Sequence, residues 1–421
     1  MTSFRLPLPR KGLLKKIHAV IGSPPVRLAM ESGESAGPAD GRALGAVVIR
    51  DDLTLLALCA NPDAWFGEAY TEGHARVEGD LSRVLEAVFV HGAMDRHATW
   101  LQRLTRRLAK WTQRNTLRGS RRNIHHHYDL SNDFYRLWLD REMVYTCAYF
   151  RRPCATLEEA QQAKMEHVCR KLRLQPGERV LEAGCGWGAL ALHMARNFGA
   201  RVRAFNVSHE QICYARERAK TEGLEGRVEF IEDDYRNASG EYDAFVAVGM
   251  LEHVGPQNYD TLGRVIRRAI GERGRGLLHF IARTQPRPVS PWLRKRIFPG
   301  SYVPTLRESL RVLEPCNFSV LDVENLRLHY AETLRHWLER FDAARAKLTP
   351  PLDDEKFIRA WRLYLAGVCA GFRSGVLQLF QVVFAGAAWN RSAWTRAPLY
   401  TDAPAEESAV QPETQWIATK S

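Results

Sequence analysis

The stretch VLEAGCGWG, residues 180–188, decides the fold of this 421-residue chain. An apolar run ends at Ala183, three glycines follow at alternate positions, and an apolar helical pattern begins at Ala189. Glycine in such a turn lets the backbone approach a ligand closely, and the helix that follows has free N–H groups at its start. The stretch therefore predicts a strand, a ligand-binding turn and a helix within an α/β domain.

Further apolar runs alternate with helical stretches downstream of this turn. The runs that look like strands occupy residues 180–183, 202–207, 228–231, 244–248 and 276–281. This alternation is typical of a mostly parallel sheet whose strands are connected by helices on its faces.

The residues after the next two strands limit the kind of ligand. The glycine spacing is GxGxG, and Asn206 stands where a dinucleotide site has an acid for the ribose. Asparagine still offers a carbonyl oxygen to a ribose hydroxyl, but it argues against NAD. Asp234, after the third strand, is placed to accept a hydrogen bond from an adenine amino group. The alternative for Asp234 is a solvated turn residue.

Composition limits the partners and the compartment. The net charge of +12 favours a polyanion, either a nucleic acid or an anionic membrane surface. The eight cysteines form no CxxC pair, which is typical of reduced thiols in a cytoplasmic protein. The apolar stretch at residues 375–389 is interrupted by Gln378 and Gln381 and is too short to cross a bilayer. We therefore expect a cytoplasmic protein that associates peripherally with the inner face of the membrane.

Changes in composition divide the chain into five segments. The predicted segments are a poorly ordered N-terminus (1–42), a small α+β domain (43–95), a basic helical connector (96–122), a catalytic domain (123–395) and a disordered tail (396–421). Within the small domain, residues 46–50 and 54–59 look like strands and residues 80–90 look like a helix.

Several motifs occur in a fixed order along residues 120–390. They are HHYDLSNDFYRLWLD (126–140), YTCAYF (145–150), EAGCGWG (182–188), GMLEHVGPQNYD (249–260), LLHFIA (277–282), WLRKRIFPG (292–300), WLERF (337–341) and AGFRSGVLQLFQVVF (370–384). In this order they resemble the cyclopropane-fatty-acyl-phospholipid synthases and their mycolic acid cyclopropane synthase relatives. The resemblance implies a class I methyltransferase-like Rossmann domain with a mostly parallel seven-stranded sheet. The small α+β domain resembles the N-terminal domain of the members that act on phospholipids.

The resemblance also implies a reaction. The methyl carbon of S-adenosylmethionine is transferred to a cis double bond of a phospholipid acyl chain, and a cyclopropane ring closes after one proton has left. A bicarbonate ion is the implied base. By motif matching, the residues that hold it are Cys147, Glu252, His279, the backbone of Ile281, and Tyr330.

The implied contacts to S-adenosylmethionine come from both sides of the glycine turn. They are Tyr145, Thr146, Gly184, Gly186, Asn206, Gln211, Asp234 and Tyr235. Thr146 stands where many members have serine, which keeps the hydroxyl group. Asn206 stands where the family usually has threonine, so the implied ribose contact differs there.

Each implied catalytic residue also has an ordinary structural interpretation. Without its motif, Cys147 is a small buried residue, His279 a core histidine and Tyr330 a packed aromatic. Glu252 follows a strand end, where α/β proteins place their sites, so it is a candidate on its own. Three adjacent histidines, 125–127, do not converge on one ion, so we predict no metal site. His126 and Tyr128 are expected to help form a lid over the cofactor.

Other functions stay open at this stage. The same carbocation gives a methyl- or methylene-branched product if it loses a different proton or shifts a hydride, and the motifs do not separate these outcomes. A lipid-binding protein without activity and an RNA methyltransferase are further alternatives, but the chain has no recognisable RNA module, so no nucleic acid partner is predicted. Basic residues at 103–122 and in WLRKRIF (292–298) are expected to contact anionic headgroups. A homodimer is left open.

Overall fold

The computed structural model describes residues 8–39, 41–92 and 131–400, and within them the chain forms two sheets. The smaller sheet has four strands in the order β2-β1-β3-β4. Its elements are α1 (Arg10–Val20), β1 (Arg27–Met30), β2 (Ser35–Ala36), β3 (Ala46–Ile49), α2 (Asp52–Ala60), α3 (Pro62–Glu72), β4 (Ala75–Glu78) and α4 (Leu81–His91). The predicted strand at 46–50 and the predicted helix at 80–90 are confirmed.

Two predictions for this region are wrong. Residues 54–59 belong to helix α2, whose N-cap Asp51 accepts a hydrogen bond from the backbone N–H of Thr54. The N-terminal 42 residues are not a poorly ordered segment throughout, because α1 buries Leu14 and Ile17 and β1 pairs in parallel with β3. A parallel partner lies far away in sequence, so the local composition of residues 27–30 does not reveal the pairing.

The larger sheet has seven strands in the order β10-β11-β9-β8-β5-β6-β7. Its elements, in chain order, are α5 (Asn132–Arg136), α6 (Leu157–Leu172), β5 (Arg179–Ala183), α7 (Ala189–Phe198), β6 (Arg201–Asn206), α8 (His209–Thr221), β7 (Val228–Glu232), β8 (Ala244–Val248), α9 (Leu251–Val254), α10 (Tyr259–Ile270), β9 (Arg275–Arg283), α11 (Pro291–Arg296), α12 (Leu306–Ser309), β10 (Phe318–Asn325), α13 (Arg327–Ala344), α14 (Glu355–Arg373) and β11 (Leu377–Gly386). In this sheet β11 runs opposite to the other six strands, so the predicted mostly parallel sheet is confirmed.

Alternation along the parallel strands explains why helices cover both faces. Val180 of β5 packs in one core with α6, α7 and α8, whereas Leu181 packs in a second core with α10. Successive side chains of a strand point to opposite faces, so a strand that is apolar at every position must be covered on both sides. The five predicted strands correspond to β5 through β9.

Helix α11 carries most of the WLRKRIF motif and contacts helix α3 of the small domain. Trp292 is buried, and its Nε1 donates to Oγ1 of Thr71 in α3 over 3.0 Å. Arg296 pairs with Glu68 and Glu72 of α3. These two side chains therefore make an interdomain contact, and headgroup contact by the basic residues of this motif stays a prediction.

Two segments with predicted roles fall largely or wholly outside the described residues. The basic connector, together with His126 and Tyr128, lies outside them, as does the tail from residue 401. The tail's first residues are ordered rather than disordered, since Arg396 pairs with Asp322 and Ala397–Leu399 form a short 3₁₀ turn. None of the described helices has the length and apolar character that a bilayer-spanning helix requires.

Candidate active site

The glycine turn lies at the carboxyl end of β5, between strand and helix as predicted. Gly188 has φ +85° and begins α7, and a Cβ there would lie 2.6 Å from the Phe230 ring. Gly186 has φ +54°, but a Cβ there would meet no atom of the described chain within 4 Å. The open space beside the Gly186 backbone is what a closely bound ligand requires.

A cleft opens beside this turn at the carboxyl ends of β5, β6, β7 and β8. Its lining contains four predicted cofactor residues, Gly184, Asn206, Asp234 and Tyr235. Met250 and His253 line it as well, although the sequence analysis assigned them no role. Carboxyl ends of parallel strands at the point where strand order reverses are the usual ligand position in such sheets.

The predicted ribose contact of Asn206 meets a competing set of hydrogen bonds. Its carbonyl Oδ1 accepts from the backbone N–H groups of Val207 (2.8 Å) and Ser208 (3.4 Å). Its Nδ2 donates to Oε1 of Gln211 over 2.7 Å. A carbonyl oxygen has two lone pairs, and both are used here. Asn206 therefore positions Gln211 and the turn after β6 rather than offering a free carbonyl.

Asp234 is buried at the cleft and holds a neighbouring arginine. Its carboxylate accepts from Nε and NH2 of Arg236, each over 2.7 Å. Such a bidentate pair fixes the carboxylate plane. A carboxylate has further acceptor positions, so an adenine amino group remains a compatible partner.

Two side chains of helix α6 donate hydrogen bonds to Thr146 in the segment Tyr145-Thr146-Cys147. Nζ of Lys164 donates to Oγ1 of Thr146 over 3.0 Å, and Nε2 of Gln161 donates to the Thr146 carbonyl over 2.8 Å. Residues three apart share one helix face, so both donors point to the same segment. The hydroxyl that serine and threonine share at position 146 is thus a hydrogen-bond acceptor for a buried ammonium group.

Lys164 is a buried cation in a cluster of buried acids. Burial lowers the pKa of Lys164 to about 8, and the nearby carboxyl groups of Asp140 and Glu182 oppose this shift. Burial likewise raises the pKa of Glu182 to about 8, opposed by Lys164. A buried charge of this kind is stable only with opposite charge and hydrogen bonds nearby.

Cys147 and Tyr330 lie in one aromatic core with the Tyr145 ring. Burial raises the pKa of the Cys147 thiol well above its ordinary value, so this cysteine is a neutral thiol and not a nucleophile. Its Sγ donates to the carbonyl of Ala148 over 3.1 Å. Tyr330, on α13, stacks on Phe372 with ring centroids 4.7 Å apart.

Glu252 and His279 contribute two unsatisfied polar atoms. Oε1 of Glu252 accepts the backbone N–H of Ile281 over 2.6 Å. The other carboxyl oxygen, Oε2, and Nε2 of His279 are buried without a hydrogen-bond partner in the part of the chain that the structure describes. Buried polar atoms are nearly always paired, so two such atoms beside one strand indicate a polar ligand.

A second, larger cavity lies between the small sheet and α14. It measures about 560 Å³ and is lined mainly by apolar side chains such as Phe66, Leu363 and Val368. Tyr364 lines it too, and its hydroxyl lies 2.8 Å from that of Tyr145. Tyr364 therefore connects the lining of the cavity with the segment that is predicted to contact the cofactor.

Four residues of this site were not predicted from the sequence, namely Gln161, Lys164, Tyr364 and Gln381, whose amide nitrogen lies 3.1 Å from Nδ1 of His279. A signal existed for three of them, because each is a polar residue within an apolar pattern. Gln161 and Lys164 lie on the buried stripe of α6, and Gln381 interrupts the apolar run of β11. Among the described residues, no group of three or more histidine, cysteine or acidic side chains is arranged to hold a metal ion.

Burial of Glu252 makes the stability of the free protein depend on pH. Burial raises the pKa of Glu252 to about 7 from its ordinary 4.5. The unfolded chain therefore ionises at lower pH than the folded one, and the folded state loses stability as pH rises through this interval. We expect the free energy of unfolding of wild type to fall between pH 4.5 and 7 relative to Glu252→Gln, by about 3 kcal/mol.

Urea unfolding of both proteins across this pH interval, in buffers without carbonate, measures the difference. Because the raised pKa destabilises only above 4.5, the two curves should coincide below that pH and run parallel above 7. A gap that is independent of pH would contradict the assigned pKa.

The fold and the glycine cleft together define a class I S-adenosylmethionine-dependent methyltransferase. The family model for mycolic acid cyclopropane synthetase matches residues 115–382, and the chain belongs to this family. A cyclopropane-fatty-acyl-phospholipid synthase of Escherichia coli strain K12 is 42% identical over 259 residues, which are 61% of this chain and 66% of that enzyme. The chain is an enzyme of the methyltransferase class.

Two other relatives are similar over more of the chain. A probable fatty acid methyltransferase of Pseudomonas putida is 37% identical over 79% of this chain and 86% of its own length. The tuberculostearic acid methyltransferase UfaA1 of Mycobacterium tuberculosis is 35% identical, over 85% and 87%.

Solved structures agree with the family and the fold. The cyclopropane synthase MmaA2 from Mycobacterium tuberculosis is 28% identical with a TM-score of 0.60, over 63% of this chain and 98% of that one. The mycolic acid cyclopropane synthase CmaA1, complexed with SAH and CTAB, is 30% identical with a TM-score of 0.59, over 63% and 97%.

Proposed function

We propose that this enzyme transfers the methyl carbon of S-adenosylmethionine to a cis double bond of an unsaturated phospholipid acyl chain and closes a cyclopropane ring. One observation carries the proposal: Tyr364 lines the apolar cavity, and its hydroxyl lies 2.8 Å from that of Tyr145, a predicted cofactor contact. An alkene is a weak nucleophile, so the site must hold it against the methyl carbon and exclude water. An apolar cavity that shares a hydrogen bond with a predicted cofactor contact supports the first of these requirements.

The cofactor contacts are part of the proposal. Gly186 provides the open backbone, and Gly184, Asp234 and Tyr235 line the cleft, the last two on the adenine side. Tyr145 and Thr146 close the site from the acyl side, with Thr146 fixed by Lys164. Gln211 is assigned the ribose contact in place of Asn206, because the Asn206 carbonyl already accepts a backbone N–H and its amide nitrogen donates to Gln211.

We further propose bicarbonate as the base. The residues fit such an ion, since Oε2 of Glu252 is a buried acceptor and His279 a buried imidazole, both unsatisfied within the described structure. When bound, S-adenosylmethionine supplies an electrophilic methyl carbon and bicarbonate supplies a mild oxygen base for the one proton that leaves. Glu252, His279 and Tyr330 orient the ion, and the neutral thiol of Cys147 adds no competing negative charge.

An assay with purified protein tests the proposal. The protein is incubated with S-adenosylmethionine and vesicles of phosphatidylglycerol that carry either cis-unsaturated or saturated chains, and S-adenosylhomocysteine release is measured. We expect release only with the unsaturated lipid. Equal release with both lipids, or release only with free fatty acid, would refute the assigned acceptor.

A branched product is the second candidate, and the similarity to UfaA1 over most of both chains favours it. The same cation yields a methyl-branched alkene if a proton leaves from a neighbouring chain carbon. It yields a methylene branch if a hydride first shifts to the cationic carbon and the methyl group then loses a proton. Mass spectrometry and NMR of the product lipids distinguish a ring from a branch. The anionic membrane surface and a homodimer stay predictions.

Gly367 of α14 offers a way to fill the acyl cavity without disturbing the cofactor cleft. A Cβ at this lining position would meet only Cδ1 of Leu85, at 3.9 Å. We expect Gly367→Leu to fold and to reduce turnover of long-chain phospholipid by about 10- to 100-fold, because it occupies the volume of several methylenes. Binding of S-adenosylhomocysteine should not change.

Gly367→Ala is the matched control, since it adds the same Cβ and also improves helix propensity. It should retain most of the turnover. An equal loss in both variants would mean that Gly367 matters for the helix rather than for the cavity, and unchanged turnover in Gly367→Leu would mean that acyl chains bind elsewhere.

A further inference from the structure

Gln381 lies on β11 directly opposite His279 on β9, and both side chains are buried. Directly opposed residues of antiparallel strands project to the same face, so these two side chains meet. Nε2 of Gln381 lies 3.1 Å from Nδ1 of His279. An amide nitrogen only donates, so Nδ1 is the acceptor in this pair.

The imidazole of His279 is neutral in these surroundings. Burial lowers its pKa well below the ordinary value, and the positive charges of Lys164 and Lys171 lower it further. A neutral imidazole carries one proton, and the hydrogen bond at one nitrogen decides where that proton lies. With Nδ1 accepting, the proton lies on Nε2.

Nε2 is the atom of this ring that has no partner within the described chain. Glu252 is held next to the same strand, because its Oε1 accepts the N–H of Ile281, two residues beyond His279. Near this part of β9, the Nε2–H group of His279 is therefore a donor and Oε2 of Glu252 an acceptor, and neither is satisfied by the described residues.

We infer that Gln381 is a positioning residue that fixes the tautomer of His279, so that His279 presents a hydrogen-bond donor and not a base to the bound anion. The identity of that anion rests on the proposed function. In this tautomer Nε2 has no free lone pair, so His279 does not take the proton that leaves the substrate. His279 donates to one oxygen of a hydrogencarbonate ion, and Glu252 accepts from the ion's hydroxyl group.

The tautomer is measurable without turnover. The protein is labelled with ¹⁵N-histidine, the His279 signals are identified by their loss in His279→Asn, and the spectra are recorded with S-adenosylhomocysteine bound. We expect the Nδ1 signal of an unprotonated nitrogen and the Nε2 signal of a protonated one. A protonated Nδ1 in wild type would overturn the inference.

Gln381→Glu tests the cause of this tautomer. A carboxylate can only accept, so it should draw the proton to Nδ1 and leave Nε2 as an acceptor facing Glu252. We expect turnover to fall by about 10- to 100-fold, the usual effect of losing an outer-shell partner, while S-adenosylhomocysteine affinity is retained. Gln378→Glu, on the opposite face of the same strand, is the matched control and should change neither the tautomer nor turnover.

The outcomes separate this inference from the proposed function. If wild type has the expected tautomer but no lipid is methylated, the proposed function fails and the role of Gln381 stands. If Gln381→Glu keeps its proton on Nε2, the role of Gln381 fails whatever the reaction is. Should Gln381→Glu not fold, Gln381→Leu removes the donor and is expected to give a mixture of both tautomers; a single unchanged tautomer there would refute the inference.

Discussion

Replacing Glu252 by glutamine is expected to reduce methyl transfer to lipid by about 100- to 1,000-fold, the range seen when one preorganised polar group is lost from a catalytic site. The substitution keeps the shape of the side chain. Its amide oxygen still accepts the N–H of Ile281, so the strand contact survives. The Oε2 position, however, gains an amide N–H and no longer accepts a hydrogen bond from a bound anion.

The initial rate of S-adenosylhomocysteine release and calorimetric binding of S-adenosylhomocysteine measure the two effects separately. Cofactor affinity should be nearly unchanged, because Glu252 is not among the side chains that line the cofactor cleft. Glu178→Gln is the control: its carboxylate precedes β5 at the far end of the sheet and pairs with Arg275. Loss of cofactor affinity in Glu252→Gln would contradict the role assigned to Glu252.

The second large effect is expected at Gly186. Its φ of +54° is unfavourable for any side chain, which costs about 1–2 kcal/mol. A Cβ there meets nothing of the described chain but enters the space assigned to the ligand. We expect Gly186→Ala to weaken S-adenosylhomocysteine binding about 100-fold, which corresponds to about 2.8 kcal/mol.

Gly223 provides a control with the same strain. It has φ +67° and equally open surroundings, but it follows α8 and is not part of the glycine turn between β5 and α7. Both alanine variants should lose similar stability in urea unfolding, and only Gly186→Ala should lose cofactor affinity. Equal affinity losses in both would show that backbone strain, and not contact with the ligand, explains the effect.

The central strands were predictable because their signal is local. Five apolar runs correspond to β5 through β9, and the glycine turn identifies the ligand edge. Residues 54–59 were wrongly predicted as a strand for a related reason, since a short apolar run cannot distinguish a strand from a partly buried helix. The N-cap at Asp51 was the distinguishing feature.

The arrangement of the site could be predicted only in part. Tyr145 and Thr146 are predicted cofactor contacts and Cys147 a predicted bicarbonate ligand, but the hydrogen bond from Lys164 to Thr146 depends on how α6 packs against this segment. The pairing of Gln381 with His279 depends on the register of two antiparallel strands that are about a hundred residues apart. The register between two strands that are distant in sequence cannot be predicted from either strand alone. A glutamine inside an apolar strand nevertheless indicates that its side chain has a polar partner.

The structure of the product tests the central claim most directly. The chain is expressed in a host that makes unsaturated phospholipids but no cyclopropanes, and the extracted fatty acids are analysed by mass spectrometry and proton NMR. The account predicts new acids that are heavier by one CH₂, lack olefinic signals and show cyclopropane ring protons. New acids with a methyl or methylene branch, or an unchanged lipid profile, would contradict it.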